Sequence, residues 1–129
     1  MFNVNPMHMV AMLALIEYTI FTALVGRARL RYGVRAPATT GHPIFERYFR
    51  VQQNTLELLV CFLPALWLAA YYSSPFWAAT IGMVFVVARI VYFEGYVRRP
   101  EARRLGFAFS VLPIVSLLLL AATGALSAI

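Results

Sequence analysis

The fold is decided by the stretch from Asn54 to Tyr96, NTLELLVCFLPALWLAAYYSSPFWAATIGMVFVVARIVYFEGY. It holds two apolar segments, from about Asn54 to Tyr72 and from Phe76 to about Tyr96, separated only by Ser73-Ser74-Pro75. Each segment has the ~20 residues that an α-helix needs to cross the hydrocarbon core of a bilayer. Because a Ser-Ser-Pro sequence favours a tight turn, the stretch predicts two antiparallel membrane-spanning helices.

The composition extends this pattern to the whole chain. Of the 129 residues, 62% are hydrophobic and only 12% are charged, whereas soluble domains have about 25% charged residues. Four spans are predicted, at about residues 7–31, 44–72, 76–97 and 103–128. The sequence therefore predicts an all-α integral membrane protein in which residues 1–129 form one up-down four-helix bundle. We expect no separate soluble catalytic domain within these residues.

The charged residues predict the orientation. All eleven basic residues are arginine. Most lie in or beside two connectors: Arg27, Arg29, Arg31, Arg35, Arg47 and Arg50 around the first, and Arg98, Arg99, Arg103 and Arg104 around the third. The positive-inside rule places these connectors in the cytoplasm and both termini on the other side, and we expect a bacterial cytoplasmic membrane. Topology alone accounts for this arginine distribution, so a nucleic-acid partner is not expected.

Polar residues inside the spans are the candidate functional residues, because charged groups are costly in a membrane. Two sets share a helix face at i, i+3/i+4, i+7 spacing: Arg50, Asn54 and Glu57 on the second span, and Arg89, Tyr92 and Tyr96 on the third. These stripes run inward from the cytoplasmic ends of neighbouring helices. They indicate a polar site that the two helices share.

A structural role for the same residues is also open. Glu57 and Arg89 could form a buried ion pair that joins the second and third spans. Tyr92 and Tyr96 could belong to an aromatic belt at the membrane interface. Arg50 and Asn54 could lie at the membrane interface and face lipid headgroups.

Isolated polar residues have their own interpretations. Gln52 lies about 200° around the helix from Arg50, where it could serve a second site in an oligomer. Glu17 is compatible with a proton-coupled transporter, although a hydrogen bond across a helix interface is the favoured interpretation. Cys61 is predicted to be a small core residue. With a single cysteine and two histidines, a standard structural zinc site is excluded, and no metal is expected.

Several segments resemble the MAPEG family, the membrane-associated proteins of eicosanoid and glutathione metabolism. The second-span segment, residues 45–57, is FERYFRVQQNTLE, and residues 64–67 are PALW. The third span contains ARIVYFEGY at residues 88–96, followed by Arg103 and Gly106-Phe107. Thr39-Thr40-Gly41 fits the first connector. These motifs resemble most the branch of microsomal glutathione transferases and leukotriene C4 synthase.

The resemblance implies a homotrimer of four-helix bundles that uses glutathione as co-substrate. It implies that glutathione binds between subunits in the cytoplasmic half of the membrane, lined by Arg50, Asn54, Glu57, Tyr92 and Tyr96. Arg29 and Gln52 would come from the adjoining subunit. Arg103 takes the position of the arginine that holds the thiol as thiolate, and Arg104 is its neighbour.

The resemblance also implies an activity, namely membrane glutathione transfer to a lipophilic electrophile from the bilayer, with glutathione peroxidase activity as a possible addition. Leu58 stands where leukotriene-forming members of the family have tyrosine. Leu30 stands where leukotriene C4 synthase has a second arginine at the rim of the site. Both differences disfavour a leukotriene-type substrate. Two alternatives remain. One is a non-catalytic lipid-binding protein of the same fold, and the other is a small multidrug transporter that uses Glu17.

Overall fold

The computed structural model describes residues 3–129 as four long α-helices joined by short connections. The helices are α1 (Pro6–Tyr32), α2 (Pro43–Tyr72), α3 (Pro75–Arg98) and α4 (Arg103–Ser127), with a 3₁₀ turn at Pro100–Ala102 before α4. All four are long and apolar enough to cross a membrane. No strand occurs among residues 3–129. The predicted all-helical architecture with four spans is confirmed.

The helix ends follow from local sequence. Asn5, His42 and Ser74 precede the prolines that begin α1, α2 and α3, and each accepts a hydrogen bond from a first-turn amide, at 2.9, 3.1 and 3.5 Å. Such caps satisfy amides that have no partner inside the helix. Gly33 ends α1 at φ 70°, a left-handed conformation that glycine adopts without a steric penalty.

The short connections make the helices alternate in direction. One end of the bundle carries the connections at residues 33–42 and 99–102, and we call it the arginine-rich end. The other, the terminal end, carries residues 73–74, the beginning of α1 and the end of α4. Helix α2 packs against all three other helices, and α3 also packs against α1 and α4.

The core has three hydrophobic clusters, and one of them, at the arginine-rich end, consists of Val25, Ala28, Val34 and Phe45. The other two lie at different depths in the bundle. The terminal-half cluster draws on all four helices, and its centre is the stacked pair Phe62 and Phe85, with ring centroids 3.9 Å apart. The arginine-half cluster consists of Phe21, Val51 and Tyr92 with their partly buried neighbours. The clusters fix the helices relative to each other on both sides of the bundle midpoint.

The outer faces of the bundle are strongly apolar. Large side chains such as Leu15, Val60 and Leu118 are exposed, as expected for surfaces that meet lipid or other subunits. Cys61 is exposed as well, so the prediction that it is a core residue is wrong. The apolar character of its sequence neighbourhood reflects an outward-facing surface of α2.

Candidate active site

A cleft of about 340 Å³ opens between α2, α3 and α4 at the arginine-rich end. Seven residues line it: Arg50 and Asn54 from α2, Tyr92 and Tyr96 from α3, and Arg103, Arg104 and Phe107 from α4. The volume is in the lower part of the ~300–1,000 Å³ range of small-molecule sites. Five of the eight site residues predicted from the sequence therefore meet in one cleft.

The charge of the cleft is positive. Arg50, Arg103 and Arg104 each contribute an exposed guanidinium, and none of the lining residues is acidic. A guanidinium presents several N–H donors in a planar fork that matches a carboxylate. The cleft is therefore suited to a ligand that carries negative charge at more than one position.

Two tyrosines form the wall on α3. The ring centroids of Tyr92 and Tyr96 lie 5.6 Å apart. Tyr92 is buried at 4% exposure, whereas Tyr96 is partly exposed. The Arg103 guanidinium lies 6.0 Å from the centroid of the Tyr96 ring. The hydroxyl-bearing wall and the first arginine of α4 therefore face the same small volume.

The close approach of α4 to α3 places Arg103 at the cleft. Gly106 packs directly on the backbone of Tyr92, and a Cβ atom at position 106 would lie 2.6 Å from the Tyr92 Cα. Only glycine allows the two helices to meet this closely. Arg103 lies one turn before this contact and Phe107 directly follows it, so the glycine sets the distance across the cleft.

Arg89 lies behind the cleft and is fully buried. Its Nη2 atom donates to Asn54 Oδ1 and to Thr55 Oγ1, both at 2.9 Å, and its Nη1 atom donates to Ser110 Oγ at 3.1 Å. The guanidinium carbon lies 4.1 Å from the centroid of the Tyr92 ring. Arg89 therefore joins α2, α3 and α4 with neutral partners.

These contacts correct the alternative in which Glu57 and Arg89 form a buried ion pair. Among residues 3–129 the ion pair is Arg98–Glu94, at 3.3 Å on the exposed side of α3. Glu57 is exposed and does not line the cleft. It follows Asn54 by three residues on α2 and therefore continues the same face toward the outside of the bundle.

Arg29 and Gln52 lie elsewhere on the chain's surface. Arg29 Nη1 donates to the Ala38 carbonyl at 2.7 Å, and its guanidinium lies 4.8 Å from the centroid of the Phe45 ring. Gln52 Nε2 donates to Thr22 Oγ1 of α1 at 3.1 Å. Neither residue lines the cleft of its own chain, consistent with the prediction from helix geometry that Gln52 faces away from Arg50.

Three residues near the site were not among the site residues predicted from the sequence. Arg104 and Phe107 line the cleft, and Phe107 could have been found because it follows Arg103 by four residues on the same helix face. Arg47 Nη1 donates to the carbonyls of Val97 and Arg98, at 3.0 and 3.4 Å. Arg47 thus provides hydrogen-bond donors for backbone carbonyls at the end of α3, and it does not line the cleft.

Glu17 is buried at 8% exposure on α1. Neither of its carboxyl oxygens has a hydrogen-bond partner within the described residues. The predicted hydrogen bond across a helix interface is therefore wrong, although the side chain does face the other helices.

Comparison with known proteins identifies relatives along most of the chain. A family model described as MAPEG family matches residues 7–123. Microsomal glutathione S-transferase 2 of Homo sapiens is 40% identical over 89% of this chain and 78% of its own. Leukotriene C4 synthase of Cavia porcellus is 37% identical over 92% and 79%. An uncharacterized Synechocystis protein is 49% identical over 81% and 76%.

Proposed function

The chain belongs to the MAPEG family, and on this basis we propose that it is a membrane glutathione transferase. Relatives that are 36–40% identical are named microsomal glutathione S-transferase 2 and leukotriene C4 synthase. They support a glutathione-using membrane enzyme. The main structural support for the proposal is the cleft, which is lined by Arg50, Arg103 and Arg104 and by no acidic residue.

Glutathione has the charges that this cleft requires. It carries two carboxylates, an ammonium group and a thiol. Arg50 and Asn54 on α2 bind a carboxylate and the peptide backbone of the ligand, and the hydroxyls of Tyr92 and Tyr96 supply further polar contacts. Charge-assisted hydrogen bonds from arginine to carboxylate are stronger than neutral ones, so these contacts give both affinity and orientation.

Arg103 is the residue that we propose for thiol activation. A thiol has a reference pKa of about 8.5 and reacts as the thiolate. A guanidinium next to the sulfur stabilises the negative charge. Lowering the thiol pKa by about two units needs roughly 2.7 kcal/mol of differential stabilisation. One guanidinium in direct contact with the sulfur can supply it where a neighbouring subunit and the bilayer limit the access of water.

The reaction then needs no covalent enzyme intermediate. The thiol proton leaves to water when glutathione binds. The thiolate sulfur forms a bond with an electrophilic carbon of a lipophilic substrate that arrives from the bilayer. The bond to the leaving group breaks, and the leaving group takes the electron pair. With a lipid hydroperoxide, the thiolate would instead attack the terminal peroxide oxygen, the O–O bond would break, and the alkoxide would leave and take up a proton as the alcohol. A second glutathione would then attack the sulfur of the resulting sulfenic acid and release water, so that two glutathione molecules are oxidised to the disulfide. Positioning and anion stabilisation supply the catalysis.

A neighbouring subunit completes the proposed site. We assign Arg29 and Gln52 to glutathione bound in the cleft of the adjoining chain of a homotrimer. Their positions on the α1–α2 side of the bundle, away from the cleft of their own chain, support this assignment. Glu57 is exposed three residues beyond Asn54 and is assigned to the ammonium group of glutathione. The arginine-rich end lies on the cytoplasmic side.

A non-catalytic lipid-binding role is the second candidate. An apolar groove of about 430 Å³ lies between α3 and α4 and is lined by Met83, Val84, Val87, Ala88, Val91 and Phe109. A protein that only held a lipid in this groove would bind apolar ligands without any dependence on glutathione. Glutathione-dependent turnover of an electrophile distinguishes the transferase from a protein that only binds lipid.

The test is to measure glutathione binding by calorimetry and conjugation of a halogenated nitrobenzene by the detergent-solubilised protein. We expect Arg103→Ala to bind glutathione within a few-fold of wild type but to lose at least ~100-fold in kcat. Arg99→Ala is the matched control, because Arg99 is an exposed arginine in the connection that leads into α4 and does not line the cleft. Equal kcat values for Arg103→Ala and wild type would remove Arg103 from the mechanism, and no turnover by wild type would favour the lipid-binding role.

A further inference from the structure

Four buried polar side chains form one layer across the bundle. They are Glu17 on α1, Thr55 on α2, Arg89 on α3 and Ser110 on α4, and within residues 3–129 they are the buried residues with polar or charged side chains. Each helix therefore contributes one member. The regular contribution indicates an organised polar layer in an otherwise apolar core.

The layer lies between the terminal-half cluster and the arginine-half cluster. On each of the first three helices the layer residue separates a member of the terminal-half cluster from a member of the arginine-half cluster: Ala14 and Phe21 on α1, Leu59 and Val51 on α2, and Phe85 and Tyr92 on α3. The layer is thus the floor of the cleft, at the depth where the two halves of the apolar core meet.

Arg89 connects this floor to the cleft. It donates 2.9 Å hydrogen bonds to Asn54 and Thr55 and a 3.1 Å hydrogen bond to Ser110, and its guanidinium lies 4.1 Å from the Tyr92 ring. Asn54 and Tyr92 line the cleft, whereas Arg89 does not. The Oδ1 atom of Asn54 is held by Arg89, so the amide nitrogen of Asn54 is left to face a ligand.

The charges of the layer indicate a partner for Arg89. Arg89 and Glu17 are the buried cation and the buried anion of residues 3–129. Both carboxyl oxygens of Glu17 and the Nε atom of Arg89 have no hydrogen-bond partner within the described residues. A lone charge inside a membrane bundle is strongly unfavourable, and an opposite charge in the same layer reduces that cost.

We propose that Arg89 is a positioning residue for the glutathione site, with Glu17 as its counter-charge from α1. Arg89 fixes the orientation of the Asn54 amide and the Tyr92 ring, and Glu17 allows the guanidinium to remain buried and charged. This inference rests on the proposed function, since it assigns Arg89 a role in glutathione binding. It also gives Glu17 a role inside the bundle in place of transport.

The first experiment is a double-mutant cycle on glutathione binding with wild type, Arg89→Gln, Asn54→Ala and the double variant. We expect each single variant to raise the glutathione Kd at least tenfold and the double variant to be no worse than the weaker-binding single one. Residues that act through each other give such non-additive effects. If the fold-increase in Kd of the double variant equals the product of the two single fold-increases, the positioning role is wrong.

Control variants separate positioning from general stability. Ser110→Ala and Thr55→Val each remove one partner of Arg89 without changing a cleft residue, and we expect their glutathione Kd to stay within threefold of wild type. If Arg89→Gln does not fold, Arg89→Lys takes its place. Lysine keeps the charge but lacks the planar guanidinium group, so we expect the same tenfold increase in the glutathione Kd. Wild-type affinity in whichever Arg89 variant folds would refute the inference while leaving the proposed function intact. Absence of glutathione binding in wild type would refute both.

The counter-charge is tested by thermal unfolding. Glu17→Gln and Arg89→Gln each leave one buried charge alone, and we expect both to lower the Tm. We expect the double variant, which buries neither charge, to be more stable than Arg89→Gln. A double variant whose Tm loss equals the two single losses added together would show that the charges do not interact.

Discussion

At the scale of single residues, the cleft depends on arginine as a side chain and not only on positive charge. Arg50 and Arg103 stand on different helices and face the same volume. A lysine at either position would keep the charge but lose the planar fork that can bind both oxygens of a carboxylate. The exclusive use of arginine among the eleven basic residues is consistent with such a site, although residues outside the cleft follow the same usage.

Replacement of Arg50 tests this point. We expect Arg50→Gln to raise the glutathione Kd roughly ten- to hundredfold, because a hydrogen bond to a charged group contributes about 1.5–3 kcal/mol. Arg50→Lys should give an intermediate Kd. Arg35→Gln, in the exposed connection at the same end, is the matched control. Calorimetric titration measures all three, and equal losses in Arg50→Gln and Arg35→Gln would indicate a diffuse electrostatic effect in place of a site.

At the scale of the helices, the contact between α3 and α4 decides the geometry of the cleft. Gly106 lies on the Tyr92 backbone, and the helix that it belongs to begins at Arg103. The 3₁₀ turn at Pro100–Ala102 brings the chain from the end of α3 into this contact. Arg47 holds the end of α3 through the carbonyls of Val97 and Arg98. The close approach of α4 to α3 and the hydrogen bonds from Arg47 of α2 thus fix the position of α3 relative to the other two helices that line the cleft.

Gly106→Ala should therefore disturb the site. We expect the added methyl group to force α4 away from α3, to lower stability by about 1–3 kcal/mol, and to raise the glutathione KM. Gly26→Ala is the matched control, because a Cβ at that helical position meets nothing within 4 Å and should be neutral or slightly stabilising. Thermal unfolding and steady-state kinetics measure both effects. A Gly106→Ala protein with wild-type Tm and KM would contradict this account of α4.

Helical spacing explains which parts of this arrangement could be predicted from the sequence. The number of spans follows from hydropathy, and the i, i+4 relation of Arg50 and Asn54 and of Tyr92 and Tyr96 follows from helix geometry. The partner of Arg89 could not be predicted, because several polar side chains on facing helices were possible and their choice depends on helix rotation and depth. Cys61 was misplaced for the same reason, since an apolar segment does not reveal which face turns inward.

At the scale of the whole molecule, the separation of polar and apolar surfaces fits a membrane protein with its site near one end. The arginines of both connections lie at that end, and the exposed faces of the spans are apolar. The proposed trimer brings Arg29 and Gln52 of one chain to the cleft of the next. Orientation and assembly are both accessible to experiment.

The proposed orientation predicts which connections a reagent can reach. In a Cys61→Ala background, we expect Ser73→Cys to react with a membrane-impermeant maleimide in intact spheroplasts, and Thr39→Cys to react only after permeabilisation. Both positions are exposed in their connections, so accessibility within the fold is matched. Labelling of Thr39→Cys in intact spheroplasts would reverse the proposed orientation.

The shared site predicts complementation between inactive subunits. Arg29→Gln and Arg50→Gln should each have low transferase activity alone. When the two are co-expressed, some interfaces combine an intact Arg50 with an intact Arg29 of the neighbour, and we expect part of the activity to return. Mixing the separately purified proteins without subunit exchange is the control. If co-expression restores nothing, Arg29 does not act across an interface.

The central claim is that the cationic cleft keeps the sulfur of bound glutathione negatively charged. The direct measurement is a pH titration of the ultraviolet thiolate absorbance of glutathione bound to the wild-type protein, compared with free glutathione. We expect the thiol of the bound molecule to ionise about two pH units below the free thiol, corresponding to roughly 2.7 kcal/mol. If the bound thiol titrates at the same pH as free glutathione, the account of this cleft is wrong.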